Sequence, residues 1–434
     1  MMIKRCFKRL WGDKRGNMLI IAAAAMPLLV GSAGLATDTI QWTLWKRQLQ
    51  RTADSAALAG VYQRVQQGGQ AEVEAAVDRD LEINDHTGIP LLPGYPTVQL
   101  LADSGVIRQP VEVVLKLQKP LTFSSMFMAS APIITTTARA ASVPGTDEYC
   151  VVSLEHTTRT GITGSGNASV EMDCGMITNS PAMNSAIAKG SAIMKASVIA
   201  SVGGIQASGN WQVGKYDPYV AQIKDPYANV KPEPSEMNCM VPTYSNNGKR
   251  TAGPAVLSNA SSAVAPGCYG GLSVAANTTL TLPAGTYYID RGDVNIQGTL
   301  TGEGVTIVLT NQEVPDTATI GKFTMNSQAL LSLTAPATGK YAGIAIYQDR
   351  RAVDTNSSNN FINGGSTANV VGSIYFPKQE LTYNGDGTTV AVCTRFVTRR
   401  IVFSGNNTTS NKFAKDCPGY IPDIEGGRRV RLIA

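Results

Sequence analysis

The sequence predicts a membrane-anchored α+β module at the N-terminus, followed by a mainly-β domain built as a right-handed parallel β-helix, a solenoid. Three observations carry that expectation. A twenty-residue span without charge, residues 18–37, stands behind a basic stem. Small and apolar residues at helical spacing continue past it to Gly60. From about Glu148 onward, short apolar runs ending in Gly or Asn recur among Thr, Ser and Asn. The boundaries that follow are 1–17 for a cytoplasmic stem and 18–37 for a transmembrane helix. Residues 38–146 then form a helix with a small α+β module, and 147–434 the exported β-rich domain.

The stem holds Lys4, Arg5, Lys8, Arg9, Lys14 and Arg15 against the single acid Asp13. Its net charge of +5 equals that of the whole chain, so the remainder is close to neutral. Basic residues flanking an apolar span stay on the cytoplasmic side, which directs everything after Asp38 outward, beyond a bacterial inner membrane. Twenty residues at about 1.5 Å each reach roughly 30 Å, the thickness of a bilayer's hydrocarbon. Trp11 on one side, and Trp42 and Trp45 on the other, resemble the aromatic belts of both headgroup layers. Pro27 in mid-span is tolerable in a membrane helix. The rival reading is a cleaved secretory signal ending at the small residues Gly34-Leu35-Ala36. Against it, Leu35, Trp42, Trp45, Leu49, Ala53, Ala56, Ala57 and Gly60 line one side of an unbroken helix. With the basic charge confined to the stem, no clustered basic face for nucleic acid is evident.

Beyond the long helix, residues 70–87 read as a second helix, and Gly88, Pro90, Pro93, Gly94 and Pro96 punctuate a loop. Residues 111–117 and 133–137 are strand-like by β-branching, with a short helix expected at 121–128 between them. In the β-rich part, Phe361-Ile362-Asn363-Gly364-Gly365, Leu381-Thr382-Tyr383-Asn384-Gly385 and Ile401-Val402-Phe403-Ser404-Gly405 recur after twenty residues. Segments beginning at Ile162, Ile205 and Val294 repeat the pattern less regularly. Such a period is that of stacked coils, each turning apolar side chains inward and using Gly or Asn at its corners. A β-sandwich with regular turns is the alternative. Coil stacks need their ends covered, here by the α+β module at the N-terminal coil and by residues 418–434 at the other. Residues 216–253, rich in Pro, Asp and Asn, break the pattern as a long excursion.

Cys6 lies in the stem, whereas Cys150, Cys174, Cys239, Cys268, Cys393 and Cys417 face an oxidising compartment. Six cysteines allow fifteen pairings. Their clustering favours 150–174, 239–268 and 393–417, each worth on the order of 3 kcal/mol by loop entropy. Zinc is a weak rival, since no Cys-x-x-Cys occurs and the histidines are only His86 and His156. No metal site and no cofactor are expected.

For catalysis the best cluster is Gln348-Asp349-Arg350-Arg351 with Asp354, beside Lys378 and Asp386 on later coils. An Asp next to Arg could orient a sugar or act as a general acid, as in β-helical lyases and glycosidases. An ion pair at a strand end explains the same residues without chemistry, and no second carboxylate partner can be assigned. The reading is therefore non-enzymatic. Tyr347, Asp349, Arg350, Tyr375 and Tyr383, flat or forked groups among small neighbours, are the candidate binding residues, a surface glycan being one possible ligand.

The N-terminal blocks resemble a known family. Arg15-Gly16-Asn17, Gly34-Leu35-Ala36-Thr37-Asp38 and Thr52-Ala53-Asp54-Ser55-Ala56-Ala57-Leu58-Ala59-Gly60 are similar, in that order, to the start of TadG-type proteins of the Tad (Flp) pilus-assembly system. Ile21 stands where prepilin-like relatives processed after the glycine carry glutamate. The Asp-x-Ser-x-Ser metal motif of many TadG-like chains is absent. The resemblance thus implies location and system: an envelope protein supporting Tad-pilus assembly, with the inner membrane and other Tad components as partners. A membrane-tethered carbohydrate-binding adhesin and a polysaccharide-acting enzyme are the two other classes the chain allows.

Overall fold

The computed structural model describes residues 17–66, 68–84, 90–145, 147–241, 243–247, 250–261, 263–313, 319–355, 358–363, 366–384, 388–406, 408–413, 417–421, 424 and 426–433. The basic stem with Cys6 and Trp11 falls outside them, as do His86, Gly88, Gly364, Gly365, Gly385 and Asp386. The chain divides into two compact units, Met1–Val143 with Val430–Ala434, and Pro144–Arg429. The C-terminal residues 430–434 thus belong to the first unit, not to the β-rich one expected to contain them.

The first unit is built on helix α1, Asn17–Val65, 49 residues long and running through Pro27. Its first half is apolar and bare. Met26, Leu28, Leu29 and Val30 are exposed, and the helix is long and apolar enough to cross a membrane. Its second half is buried on one side. Leu49, Ala53, Ala56, Ala57 and Val61 lie at 1% exposure or less, with Trp42 and Trp45 packed at the margin. Leu35, expected on this stripe, is exposed, so the packed face begins later than its spacing implies. Helix α2, Gln70–Asn84, adds Val73 and Val77. Strands β1 (Thr97–Leu100), β2 (Arg108–Gln118) and β3 (Ile133–Gly145) pair antiparallel, and the strand Gly426–Leu432 extends the sheet beside β3. Alternation along β2 turns Val111, Val113, Leu115 and Leu117 onto α1, all fully buried. The close fit depends on small residues. A methyl group on Gly60 would sit 3.1 Å from Val111 and 3.3 Å from Val73 and Val77.

The second unit is mostly β, with its main sheets parallel and stacked in register. A first stack joins, in order, Gly267–Tyr269, Gly285–Asp290, Val305–Thr310, Ile344–Gln348, part of Thr367–Asn384, part of Thr394–Ser404, Tyr149–Ser153, Gly175–Thr178, Ile199–Ser201 and Tyr216–Pro218. A second runs from Val256–Ser258 through Gly271–Val274, Val294–Ile296, Phe323–Met325, Ser358–Ile362, the rest of the two long strands and Ile162–Gly164 to Ala186–Ala188. A third set comprises Thr279–Leu282, Thr299–Glu303, Leu330–Thr334 and the start of Thr367–Asn384. A further run of five strands extends from Thr388–Val392 to Trp211–Val213. Between them lies one apolar core. In-register rungs such as Ile307, Ile346, Ile374, Phe396, Val151 and Met176 fill it from the first stack, and Ile296, Met325, Ile362, Tyr383 and Phe403 from the second.

Of the six segments singled out by their repeat, the described parts of five lie along the second stack, and Ile205 of the sixth joins it by a bridge to Ala186. Leu381 pairs with Ile401, and Ile401 with Ile162. The segment at Phe361 is shifted by one, Phe361 meeting Thr382. The path of the chain differs from a simple succession of coils. Residues 149–218 step outward from the middle of the stack, and residues 219–240 travel back along its length, past Asn179, Tyr375 and Tyr347 to Cys268. The strands from 256 onward then return until Phe396 pairs with Val151. The strand that opens the unit, Tyr149–Ser153, is therefore an inner rung, paired with Thr394–Ser404 on one edge and Gly175–Thr178 on the other. The three disulfides join Cys150 to Cys174, Cys239 to Cys268 and Cys393 to Cys417.

Candidate functional site

The first unit holds the apolar span of α1 and the residues packed at its C-terminal end. Asp38, one residue past the charge-free span, is 2% exposed. Its carboxylate accepts the backbone N–H of Phe123 at 3.1 Å and that of Ser124, where the short 3₁₀ turn Ser124–Met126 begins. Burial alone would push this carboxyl up. The bonds from the Ser124 side chain and from the two N–H groups win and hold it below its ordinary range. Gly34 lets the Phe123 ring lie on the helix, since a methyl group there would fall 2.4 Å from the ring. Further along α1, Lys46 lies over the Trp42 ring at 5.4 Å and Lys119 over Trp45 at 5.0 Å. Two of the resembling blocks thus have visible employment. Gly34 and Asp38 seat the turn after β2, and Ala53, Ala56, Ala57 and Gly60 seat the sheet. Ser55 donates to Asp80 of α2 at 3.2 Å.

In the second unit the candidate binding residues separate into groups. Tyr347, Arg350 and Tyr375 come together, but beneath the returning segment 219–240. Tyr347 and Tyr375 pair across neighbouring strands with rings stacked at 5.1 Å, and they are 1% and 0% exposed. The Tyr347 hydroxyl donates to the Val230 carbonyl at 2.7 Å and that of Tyr375 to Asp225 at 2.7 Å. Arg350 spans the same segment, donating to the carbonyls of Ala228 and Val230 at 3.0 Å and to Asp225 at 2.8 Å. Burial pushes both tyrosine hydroxyls far up, so they remain protonated donors. The apolar row beneath is in register along the outer side of the first stack: Tyr288, Val308, Tyr347, Tyr375, Val397, Val152 and Ile177. Val220, Ile223, Tyr227 and Met237 of the segment are buried against it. The segment's distal end is held by the 239–268 disulfide. Of the flat or forked groups that the sequence offers for binding, these three are covered by the protein's own chain.

Asp349 and Tyr383 lie elsewhere. Asp349 is 5% exposed and pairs with Arg351 at 2.8 Å while accepting from Thr310. Tyr383 is an interior rung against Phe396 and Phe403. The catalytic cluster considered above is likewise dispersed. Gln348 bonds Gln379, while Asp354 faces Arg399 and Arg400.

That last contact belongs to a charge network absent from the sequence reading. Glu155, fully buried, pairs with Arg400 at 2.7 Å and Arg399 at 3.1 Å. Arg400 in turn pairs with Asp354 at 2.7 Å and Glu380 at 3.1 Å. Burial raises the Glu155 pKa, but bonds from Arg400, the Thr157 N–H and Arg399 outweigh it and bring it down to about 2. One signal was available. Glu380 and Arg400 are register partners one twenty-residue period apart.

Among the described residues no group of His, Cys, Asp and Glu is arranged to hold a metal ion. Fold and site define an α+β unit built on one long, partly apolar helix, and a mainly-β unit stapled by disulfides. Residues 16–67 match the family described as Tad, putative Flp pilus-assembly TadE/G-like, which makes the N-terminal region TadE/G-like. The match covers the long helix and nothing of the β-rich unit. No curated protein and no solved structure matches the chain.

Proposed function

We propose that this chain is a non-enzymatic, single-pass envelope protein that supports assembly or anchoring of a Tad/Flp pilus. Residues 1–17 face the cytoplasm, 18–37 span the inner membrane, and the bulk stands in the periplasm or beyond it. The single observation that carries the reading is the division of α1. Its TadE/G-like sequence is bare and apolar in the first half and is the buried spine of its own module in the second. A segment destined for removal has no need to continue without a break into the core of the domain it delivers. The six paired cysteines support an oxidising compartment.

The β-rich unit is, on this reading, a right-handed β-solenoid serving as the interaction arm. In-register parallel stacks around one core support it, as does the right-handedness of nearly all parallel β crossovers. Its partners are other Tad components. Binding of a surface glycan by Tyr347, Arg350 and Tyr375 would require release of residues 219–240 and is the weaker proposal.

Mild crosslinking of the protein in native membranes, followed by pulldown and mass spectrometry of partners and of its own N-terminus, tests this. Pilus secretin, platform or pilin components together with peptides from residues 17–60 are expected. A chain beginning near Thr37 without those partners would overturn it in favour of a secreted adhesin.

A further inference from the structure

The turn after β2 carries a feature that neither the anchor nor the β-rich unit explains. From residue 120 to residue 138 the chain has no charge. Within that stretch Met126 and Phe127 are 74% and 75% exposed, and Met128 and Ile133 about half. Isolated apolar side chains on a surface need no account, but three large ones in succession in one uncharged loop, with a fourth opening β3, do.

Its place on α1 decides what covers it. Phe123 lies on Gly34, three residues inside the end of the charge-free span, and stacks near Phe127 at 5.4 Å. Trp42 and Trp45, each with a lysine over its ring, stand 8 and 11 residues further along the helix. At about 1.5 Å per residue the loop therefore sits roughly 12–16 Å to the membrane side of that Trp/Lys belt, the pairing that marks a headgroup layer. Asp38, the only charge on α1 between the span and Lys46, is closed off by the loop's own N–H groups. Leu35, Ile40 and Leu44 are exposed on the same stretch of helix. Through the contact of Phe123 with Gly34 the loop adjoins the end of the span.

We infer that residues 121–128 are a second membrane-contacting element, inserting Met126, Phe127 and Met128 into the leaflet from which α1 emerges. The occupant of this surface is lipid hydrocarbon. The loop and the helix end form a wedge with two footings, which fixes the depth and rotation of the module at the bilayer. This rests on the anchoring reading above, and the test separates the two.

The full chain, with Cys6→Ser and its disulfides oxidised, would be reconstituted into phosphatidylethanolamine/phosphatidylglycerol vesicles. A nitroxide would be attached at one of four new cysteines: Phe127→Cys, Met126→Cys, Leu28→Cys in the span, or Val106→Cys at the far end of β2. All four positions are more than 60% exposed, and Met126→Cys keeps the Phe123–Phe127 ring contact that Phe127→Cys removes. Collision rates with oxygen and with a water-soluble nickel chelate report depth. The ratio of oxygen to nickel collisions at 126 and 127 is expected severalfold above that at 106 and close to that at 28. A lipid-like ratio at 28 with a water-like one at 126 and 127 would overturn the loop proposal alone. Water-like ratios at 28 as well would overturn both readings. Shielding from both reagents at 127, with dipolar broadening between labels, would identify a second copy in place of lipid and equally overturn it.

Discussion

At the scale of single residues, the most consequential group is the buried set around Arg400. Losing one member of a desolvated charge network strands the others, at a cost of about 3–5 kcal/mol. Arg400→Ala removes the cation shared by Glu155, Asp354 and Glu380 and leaves the first two to Arg399 alone among the arginines of the network. It should lower unfolding stability by that amount in urea titrations of the detergent-solubilised protein. The pH dependence follows from Glu155. Its pKa is about 2 in the fold against an ordinary 4.5, so the unfolded chain binds the extra proton. The stabilisation is complete above about pH 5 and is lost as pH falls through 4.5 towards 2. Unfolding midpoints measured from pH 2 to 6 should therefore rise with pH. Glu155→Gln should flatten that rise, and an unchanged slope would remove Glu155 as its source. The sequence displayed half of this network. The twenty-residue period aligns Glu380 with Arg400, whereas Glu155 meets Arg400 across 245 positions, a distance no local pattern encodes.

At the scale of elements, the long helix was legible because one spacing rule runs through it, from the charge-free span to Gly60. The packed stripe is made of alanines since the sheet lies close. Gly60→Leu would drive side-chain atoms into Val111, Val73 and Val77, and about 1–3 kcal/mol of destabilisation is expected from such overpacking. A thermal melt in detergent would read it. The returning segment 219–240 was legible only as an interruption. Its apolar anchors Val220, Ile223, Tyr227 and Met237 are too irregularly spaced to announce a surface partner. The same blindness made Tyr347 and Tyr375 look available. Because Cys239–Cys268 fixes the distal end of this segment, the double substitution Cys239→Ser/Cys268→Ser should speed cleavage after the exposed Glu236 by a glutamate-specific protease at least several-fold. Equal cleavage rates would show that hydrogen bonds from Arg350 and the tyrosines hold the segment unaided.

At the scale of the whole chain, parallel stacking was readable from repeated strand and corner residues, but the order of the rungs was not. A repeat states that coils resemble one another and says nothing of which neighbours touch. The pairing of Thr394–Ser404 with Tyr149–Ser153 and Ile162–Gly164 joins the outward and returning halves. It closes contacts of very long sequence separation, which slows folding. Phe396→Ala at this joint should cost about 3–5 kcal/mol. By hydrogen exchange it should lower protection on both sides, in residues 149–178 and 344–376 together. Trp211→Ala, in a terminal strand, should loosen its own rung alone. Loss confined to one side in the first variant would mean that the halves are stable separately.

That joint also has a mechanical meaning. A tether pulling on the N-terminal side of the second unit loads Tyr149–Ser153, a strand bonded on both edges in the middle of the stack. Releasing that strand breaks two ladders of backbone hydrogen bonds, where an outermost strand would break one, and the 150–174 disulfide bridges it to the next rung. The place where the polypeptide enters the domain is thus bonded on both sides, so a pull on the chain before it meets more than the end of a stack would offer.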